Sequence, residues 1–278
     1  MSEKNLPKIS VIMSIYEPEE ERLKHAVESI VKQEFQDWEL LIYDDGSSQE
    51  GASLIQRMAR MDGRIRYLRG TINLGLAYGL NLCIRYARGK YIARMDADDV
   101  ANPERLSRQY VFLETHPWYH WAGSNAFLEN QKGIFGILRV PRKPVGKDFL
   151  PHSPYIHPTV MFRKEILIKS GGYSAQKDVL LCEDYELFFR LHGQGYRGYN
   201  LQKPLLRYWE PVESYKRRRG RRRLREMKVR YQGYRRLGMS GLLPFLYLGK
   251  PLLAGLAPTG IYTYLRRNRY KNPWKERE

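Results

Sequence analysis

The chain has 278 residues, 42% of them hydrophobic and 13% aromatic, and a net charge of +18. That length and apolar content exclude a disordered chain and suit one α/β domain with an appendage. The charge is concentrated: Lys216 to Arg236 holds twelve Lys or Arg and one acid, Glu226, and so carries +11 of the +18.

The two cysteines, Cys83 and Cys182, stand 99 residues apart in apolar surroundings. That is neither a zinc pattern nor a disulfide framework, and it fits a reducing cytoplasm. The first residues run straight into a strand pattern with no apolar leader, so no signal peptide is expected. No uninterrupted apolar run reaches the ~18 residues of a spanning helix, so none is expected either.

Ile9 to Ile15 is an apolar, β-branched run bounded by Pro7 and Glu17-Pro18, and it reads as a buried first strand. A helix is predicted from about Glu19, with Leu23, Ala26, Val27, Ile30 and Val31 at helical spacing. Trp38 to Tyr43 reads as a second buried strand, ending in Asp44-Asp45-Gly46-Ser47. A helix over Ser53 to Met61 and a short strand over Ile65 to Leu68 follow. Asn73-Leu74-Gly75 is expected to open a helix to about Ala87, with an Asn73 cap one explanation of the motif. Tyr91 to Met95 is a buried strand that runs into Asp96-Ala-Asp98-Asp99, and Asn102-Pro103 reads as the N-cap and first position of the next helix.

This alternation predicts an α/β fold with right-handed crossovers and a mostly parallel central sheet flanked by helices. Two of its strands end in aspartates. Open α/β sheets bind ligands at the carboxyl edge of their strands, so both clusters are expected to face one crevice. Carboxylates are hard donors suited to Mg²⁺ or Mn²⁺, shared as a rule with substrate phosphates. The expectation is a metal–diphosphate site, with Asp99 as a hydrogen-bonding or helix-start residue.

The second half reads differently. His120 to Glu129 and Ile134 to Val140 look like strands around Gln131-Lys132-Gly133. A proline-rich loop leads to His157-Pro158-Thr159, and Gly171-Gly172 breaks a short helix. Cys182-Glu183-Asp184-Tyr185 then opens another helix, with Asp184 placed as its N-cap. Phe188, Phe189 and Leu191 are expected in the core.

In their order, Ser10-Val-Ile-Met-Ser-Ile-Tyr16, Asp44-Asp45-Gly46-Ser47, Asp96-Ala-Asp98-Asp99 and Glu183-Asp184-Tyr185 resemble the signatures of family 2 inverting glycosyltransferases with the GT-A fold. The resemblance covers about residues 8–210. Gly195-Tyr-Arg-Gly-Tyr-Asn-Leu-Gln202 and the basic tail are similar to glycosyltransferases of bacterial biofilm exopolysaccharide operons. The family implies roles residue by residue. Asp45 and Asp96 would bind the nucleotide, and Asp98 would hold Mn²⁺ or Mg²⁺ on the diphosphate. Asp184 would be the general base with Glu183 beside it, and His157 would lie in a loop over acceptor and donor. Tyr16 would stack near the base. The family's Pro-x-Tyr-Asn is Ser14-Ile15-Tyr16-Glu17 here, and Arg207 is the nearest candidate for a late cation on the diphosphate.

The resemblance further implies a UDP- or dTDP-sugar donor, a growing glycan acceptor linked to a polyprenyl diphosphate, and a single displacement with inversion. On this reading residues 1–212 are catalytic, with a nucleotide-sugar half at about 8–115 and an acceptor half at 116–212. Residues 213–278 form a basic and apolar helical tail.

That tail runs basic, apolar, basic. Leu242 to Gly249 and Leu252 to Leu265 are apolar but interrupted at Pro244, Lys250, Pro251 and Pro258, and Arg266, Arg267, Arg269 and Lys271 follow, with Trp274 beyond. This pattern fits helices lying in the headgroup plane of the inner face of the cell membrane, which would make the protein cytoplasmic and peripherally attached. The alternative is a helical pair packed on the catalytic domain. No nucleic-acid motif accompanies the charge, so nucleic acid is not an expected partner. A non-catalytic scaffold that keeps the fold and holds an acidic partner or membrane is the other functional class. The intact set Asp45, Asp96, Asp98 and Asp184 favours the enzyme.

Overall fold

The computed structural model describes residues 6–211, 221–256 and 270. Its centre is the first strand, β1 (Ile9–Ile15), flanked by β2 (Trp38–Asp44) and β4 (Tyr91–Arg94), both parallel to it. β3 (Ile65–Arg69) adds in parallel outside β2. Helices α1 (Glu20–Val31), α2 (Gln49–Ala59) and α3 (Leu76–Tyr86) make the crossovers.

Both faces of this half-sheet are covered, which is why its strands read as unbroken apolar runs. Period-two alternation divides their side chains. Ile9, Val11, Met13 and Ile15 join Leu40, Ile42 and Ala93 in the core under α1 and α2. Ile12, Leu41, Tyr43 and Ile92 face the other way, into the core under α3. The buried polar residue in β1, Ser10, donates to Glu39 at 2.7 Å, and Glu39 is paired to Arg66 and Arg88 at 2.8 and 2.9 Å.

Beyond β4 the sheet is mixed. The two-residue β5 (Val100–Ala101) precedes α4 (Arg105–Thr115), and β6 (Trp121–Asn130) pairs with β7 (Gly133–Leu138) as a hairpin. β8 (Met161–Arg163) lies antiparallel between β4 and β6. After α5 (Lys164–Lys169) and α6 (Glu183–Gly193), the long β9 (Gly198–Trp209) returns parallel to β6 and antiparallel to β5. Phe188, Phe189 and Leu191 are fully buried, as expected of α6.

Three local expectations are corrected. α2 begins at Gln49, because the Ser48 hydroxyl caps it by accepting from the Gly51 N–H at 3.2 Å. α4 begins at Arg105; Asn102 instead closes the preceding turn, its Oδ1 accepting from the Glu104 N–H at 3.0 Å. Asn73 gives α3 no cap, and Gly75 stands at the N-cap position with φ of +91°.

The described part of the tail packs on the rest of the fold. α7 (Arg221–Arg236) lies on α6, burying Val229 and Tyr234, and Gly233 sits against the Phe189 ring. Arg230 donates to the carbonyls of Leu150 and Pro151 at 2.6 and 3.1 Å, and Arg236 pairs with Glu186 at 2.8 Å. Helix α8 (Leu242–Leu256) continues through both Pro244 and Pro251 and packs Tyr247 and Leu248 inward. Leu242, Leu243, Phe245 and Leu246 are exposed. No helix among the described residues is long and apolar enough to cross a membrane. The basic residues Lys216 to Arg219, Arg266, Arg267, Arg269 and Lys271, residues 257–265 and Trp274 lie outside the described residues.

Candidate active site

β2 and β4 flank β1, so their carboxyl ends bring Asp44-Asp45 and Asp96-Ala-Asp98-Asp99 to either side of Tyr16, which is exposed beyond the end of β1. Asp44 is fully buried; it accepts from the Ser47 N–H at 2.9 Å and the Tyr67 hydroxyl at 2.8 Å. Asp45 accepts from the Leu74 and Gly75 N–H groups at 2.9 and 2.8 Å. It therefore holds the entry to α3 beside the crevice. Gly46 takes φ of +76°, and a Cβ there would stand 2.5 Å from the backbone of Ile72, so only glycine lets this loop close.

The departure at Glu17 also has a local explanation. Glu17 adopts φ of +45°, a left-handed conformation that Asn takes more readily. Its carboxylate compensates by accepting from the Ser48 N–H at 2.7 Å and the Ser48 hydroxyl at 3.0 Å.

Asp96, Asp98 and Asp99 each offer an oxygen within 4.8 Å of the other two. Three carboxylates this close repel one another. Asp98 opens to the crevice, yet crowding by the protein and the charge of Asp96 push its pKa up to about 7. Asp99 is 1% exposed, and burial with its two acidic neighbours raises it well above the usual range. One Asp99 oxygen accepts from the Trp209 N–H at 2.8 Å; the other is buried with no partner among the described residues. Converging hard oxygens with one orphaned at their base fit a divalent cation. Asp99 is thus both the hydrogen-bonding residue expected and part of the acidic cluster.

Arginines underlie this cluster. Arg94, on β4, is 1% exposed and donates from Nη2 to Asp96, while its Nε and Nη1 have no hydrogen-bond partner. Arg105 is also fully buried, and its Nη2 donates to the Arg94 carbonyl at 2.6 Å. Burial drags its pKa down to about 9.

Asp184 is the second residue of α6 and not its N-cap, which is Cys182. Burial raises its pKa, while the Tyr185 N–H at the helix start opposes the rise. Glu183 is buried and is raised for the same first reason. Leu181, just before them, is held at φ of +68°.

His157 is not in an open loop. It sits buried in a single 3₁₀ turn with Nε2 hydrogen-bonded to the Tyr173 hydroxyl at 2.8 Å. Burial and the Arg94 charge press its pKa well below the ordinary imidazole value. The Tyr173 hydroxyl in turn feels the charges of Arg94, Asp184 and Asp96, and Arg94 bears on Asp184 as well as Asp96. The charges of both acidic centres, which the chain separates by 86 positions, therefore reach the Tyr173 hydroxyl, and the charge of Arg94 reaches both.

Arg207 lies opposite Val100 on β9, but its partner is Glu129 at 3.7 Å. The cations whose charges reach Asp98 are Arg94 and Arg22, the latter on α1 and stacked 3.1 Å over the Trp209 ring. Sequence reasoning missed Arg22, Arg94, Tyr173 and Trp209. A signal existed only for Arg94, a lone charge inside an otherwise apolar strand pattern.

A half-parallel sheet with paired acidic strand ends, completed by an acid at a helix start, is the plan of the GT-A nucleotide-sugar transferases. The solved structure of S. aureus TarS residues 1–349 in complex with UDP-GlcNAc has this fold: it superposes with a TM-score of 0.65 at 18% identity, over 89% of this chain and 72% of that one. The chain belongs to glycosyltransferase family 2, whose family model (glycosyl transferase family 2) matches residues 10–171. It is 33% identical over 267 residues to EpsE of Bacillus subtilis, named as a glycosyltransferase, covering 96% of this chain and 95% of that one. It is 30% identical over 236 residues to the UDP-Gal:alpha-D-GlcNAc-diphosphoundecaprenol beta-1,3-galactosyltransferase of Escherichia coli, covering 82% and 84%.

Proposed function

We propose that this glycosyltransferase moves a sugar from a UDP- or dTDP-sugar to a hydroxyl of a growing glycan carried on a polyprenyl diphosphate, in the synthesis of exopolysaccharide or another cell-surface polysaccharide. The observation that supports the reading is the cluster of Asp96, Asp98 and Asp99 at a strand end, with the charges of Asp96 and Asp184 both reaching the Tyr173 hydroxyl. Asp96 would then belong to a donor pole and Asp184 to an acceptor pole.

Asp98, with Asp96 and Asp99, would hold Mn²⁺ or Mg²⁺. Such an ion, when bound, supplies Lewis-acid neutralisation of the leaving diphosphate. Tyr16 and the Asp45 loop would border the nucleotide. Asp184 would accept the proton of the attacking hydroxyl at its carboxylate, with Glu183 beside it on the acceptor side. One base and no carboxylate nucleophile correspond to a single displacement, in which the C1–O bond to the acceptor forms as the C1–O bond to the diphosphate breaks, with inversion.

Residues 1–212 would form the catalytic unit. The tail from 213 would rest on the inner face of the cell membrane, with the exposed Leu242, Leu243, Phe245 and Leu246 of α8 entering the headgroup boundary. The name of the Escherichia coli galactosyltransferase supports the lipid-linked acceptor, and relatives named for O-antigen and amylovoran biosynthesis support the polysaccharide setting.

The test is a donor screen by thermal shift with Mn²⁺ across UDP, dTDP and GDP sugars, followed by transfer assays. A donor at ~100-fold over its Kd should add about 2.7 kcal/mol of stability. Asp184→Asn should cut transfer by ~10²-fold or more and leave donor binding intact. Unchanged donor affinity in Asp98→Ala with Mn²⁺ present would remove the metal assignment, and a product with retained anomeric configuration would remove the mechanism.

A further inference from the structure

α7 and α6 run side by side in the same direction: Gly233 meets Phe189, and the Arg230 guanidinium stands 5.3 Å from the Tyr185 ring. Arg222 lies eight residues before Arg230, which is about 12 Å along a helix axis. α6 begins only two residues before Tyr185. The first turns of α7 therefore overhang the amino end of α6, where Glu183 and Asp184 sit. The charge of Arg222 accordingly bears on Cys182, Glu183 and Asp184.

The helical repeat also fixes which way these turns face. Val229 is buried and Gly233 packs on α6, so the inward stripe of α7 runs back through Arg225 and Glu226 to Arg222. Neighbouring cations on α7 are already engaged. Arg223 and Arg230 pair with Glu226 at 3.1 and 2.9 Å, Lys228 with Asp178, and Arg236 with Glu186 at 2.8 Å. Arg222 and Arg225 have no ion pair among the described residues, though both are only partly exposed. Leu180 and Leu181 fall in the chain between Asp178, which the Arg225 charge reaches, and Cys182, which the Arg222 charge reaches; they turn 39% and 50% of their surface to solvent, Leu181 from a left-handed backbone that a leucine rarely adopts.

We infer that Arg222 and Arg225 form an anion subsite for the diphosphate of the lipid-linked acceptor, with Leu180 and Leu181 against the first isoprene units. Two unpaired arginines present donors suited to phosphate oxygens, and the adjoining leucines suit the apolar chain such a diphosphate carries. The subsite lies next to Asp184, on the acceptor side. This deepens the proposed function and rests on its lipid-linked acceptor.

The test uses farnesyl diphosphate as the probe, titrated into the full chain by calorimetry with UDP and Mn²⁺ saturating, and farnesol and inorganic diphosphate as comparisons. Wild type should bind farnesyl diphosphate at least tenfold more tightly than either comparison. The double variant R222A/R225A should lose at least tenfold of that affinity, while its own UDP affinity and that of Arg235→Ala, an exposed arginine on the same helix, stay within twofold. Farnesyl diphosphate affinity unchanged in R222A/R225A overturns the proposal. So does UDP affinity falling in parallel, which would place the arginines on the donor, and so does wild type that binds UDP but not farnesyl diphosphate. If no nucleotide binds at all, the transferase reading fails, and the farnesyl diphosphate titration of the two proteins still decides the subsite.

Discussion

Gly233→Ala offers a sharp test of how the tail is joined to the enzyme, because two effects of opposite sign compete. Replacing glycine by alanine inside a helix ordinarily stabilises by about 1 kcal/mol. At Gly233, however, a Cβ would stand 2.3, 2.4 and 2.5 Å from Cγ, Cδ2 and Cδ1 of Phe189. That ring cannot step aside: it is fully buried, with Tyr185 4.5 Å, Phe149 4.8 Å and Tyr234 5.8 Å away. Overpacking a filled core costs about 1–3 kcal/mol, and three overlaps at these distances belong at the upper end. The net expectation is a loss of about 2 kcal/mol, which for a chain of this size lowers Tm by about 4–8 °C. Gly249 on α8 supplies the control, since a Cβ there meets nothing within 4 Å. Gly249→Ala should therefore gain stability by the ordinary helix term. Thermal unfolding of both variants by differential scanning calorimetry decides the matter. If Gly233→Ala raises Tm as Gly249→Ala does, α7 is not seated on α6 as described.

Further expectations concern the site. Because burial raises the Asp184 pKa, and a base must be ionised to accept a proton, kcat/KM should climb with pH along a limb centred above the ordinary aspartate value of about 3.9; a limb at or below that value contradicts the assignment. Asp99→Asn keeps the acceptor for the Trp209 N–H and removes a charge from the crowded cluster. Metal-free Tm should rise while the Tm gain on adding Mn²⁺ shrinks; an undiminished Mn²⁺ response would show that Asp99 stands outside the cation site. Tyr173→Phe leaves the buried Nε2 of His157 unpaired and should cost about 1–3 kcal/mol in denaturant unfolding. A change below 0.5 kcal/mol would mean that this hydrogen bond does not order the pocket.

The parallel half of the fold was readable because its strands are buried on both faces, so their apolar runs needed no subtle pattern. Turn residues and aspartates marked where each strand stopped. The second half was less readable. β9 spans twelve residues, yet Gln202-Lys203-Pro204 interrupts any alternation, and a proline argues against a central strand. The fold accommodates it by shifting register between Ser124 and Asn125, where Asn125 comes to face Pro204. Asp184 was readable as an acid at a helix start, although the cap itself fell two residues earlier. His157 read as a loop residue because Pro158 follows it, and nothing local told that Tyr173, sixteen residues on, would close over its ring.

The least readable feature is the one that makes the acidic cluster tenable. Three carboxylates within 4.8 Å cannot all ionise cheaply in a half-closed crevice. A cation in front of them relieves the repulsion, but only while it is bound. Arg94 relieves part of it permanently: buried itself, it donates to Asp96, its charge also reaches Asp98 and Asp99, and Asp98 stays exposed. Arg105 fixes that arginine's strand by its bond to the Arg94 carbonyl, and Gln109, which accepts from Arg105, donates onward to the carbonyls of Ala122 and Thr159 on the acceptor side. The acidic cluster and the second half of the sheet are thus tied through one buried polar chain. Within it, Arg94 carries charge to both Asp96 and Asp184. A change in the position or charge of Asp96 would therefore alter the field at Asp184 through the same arginine.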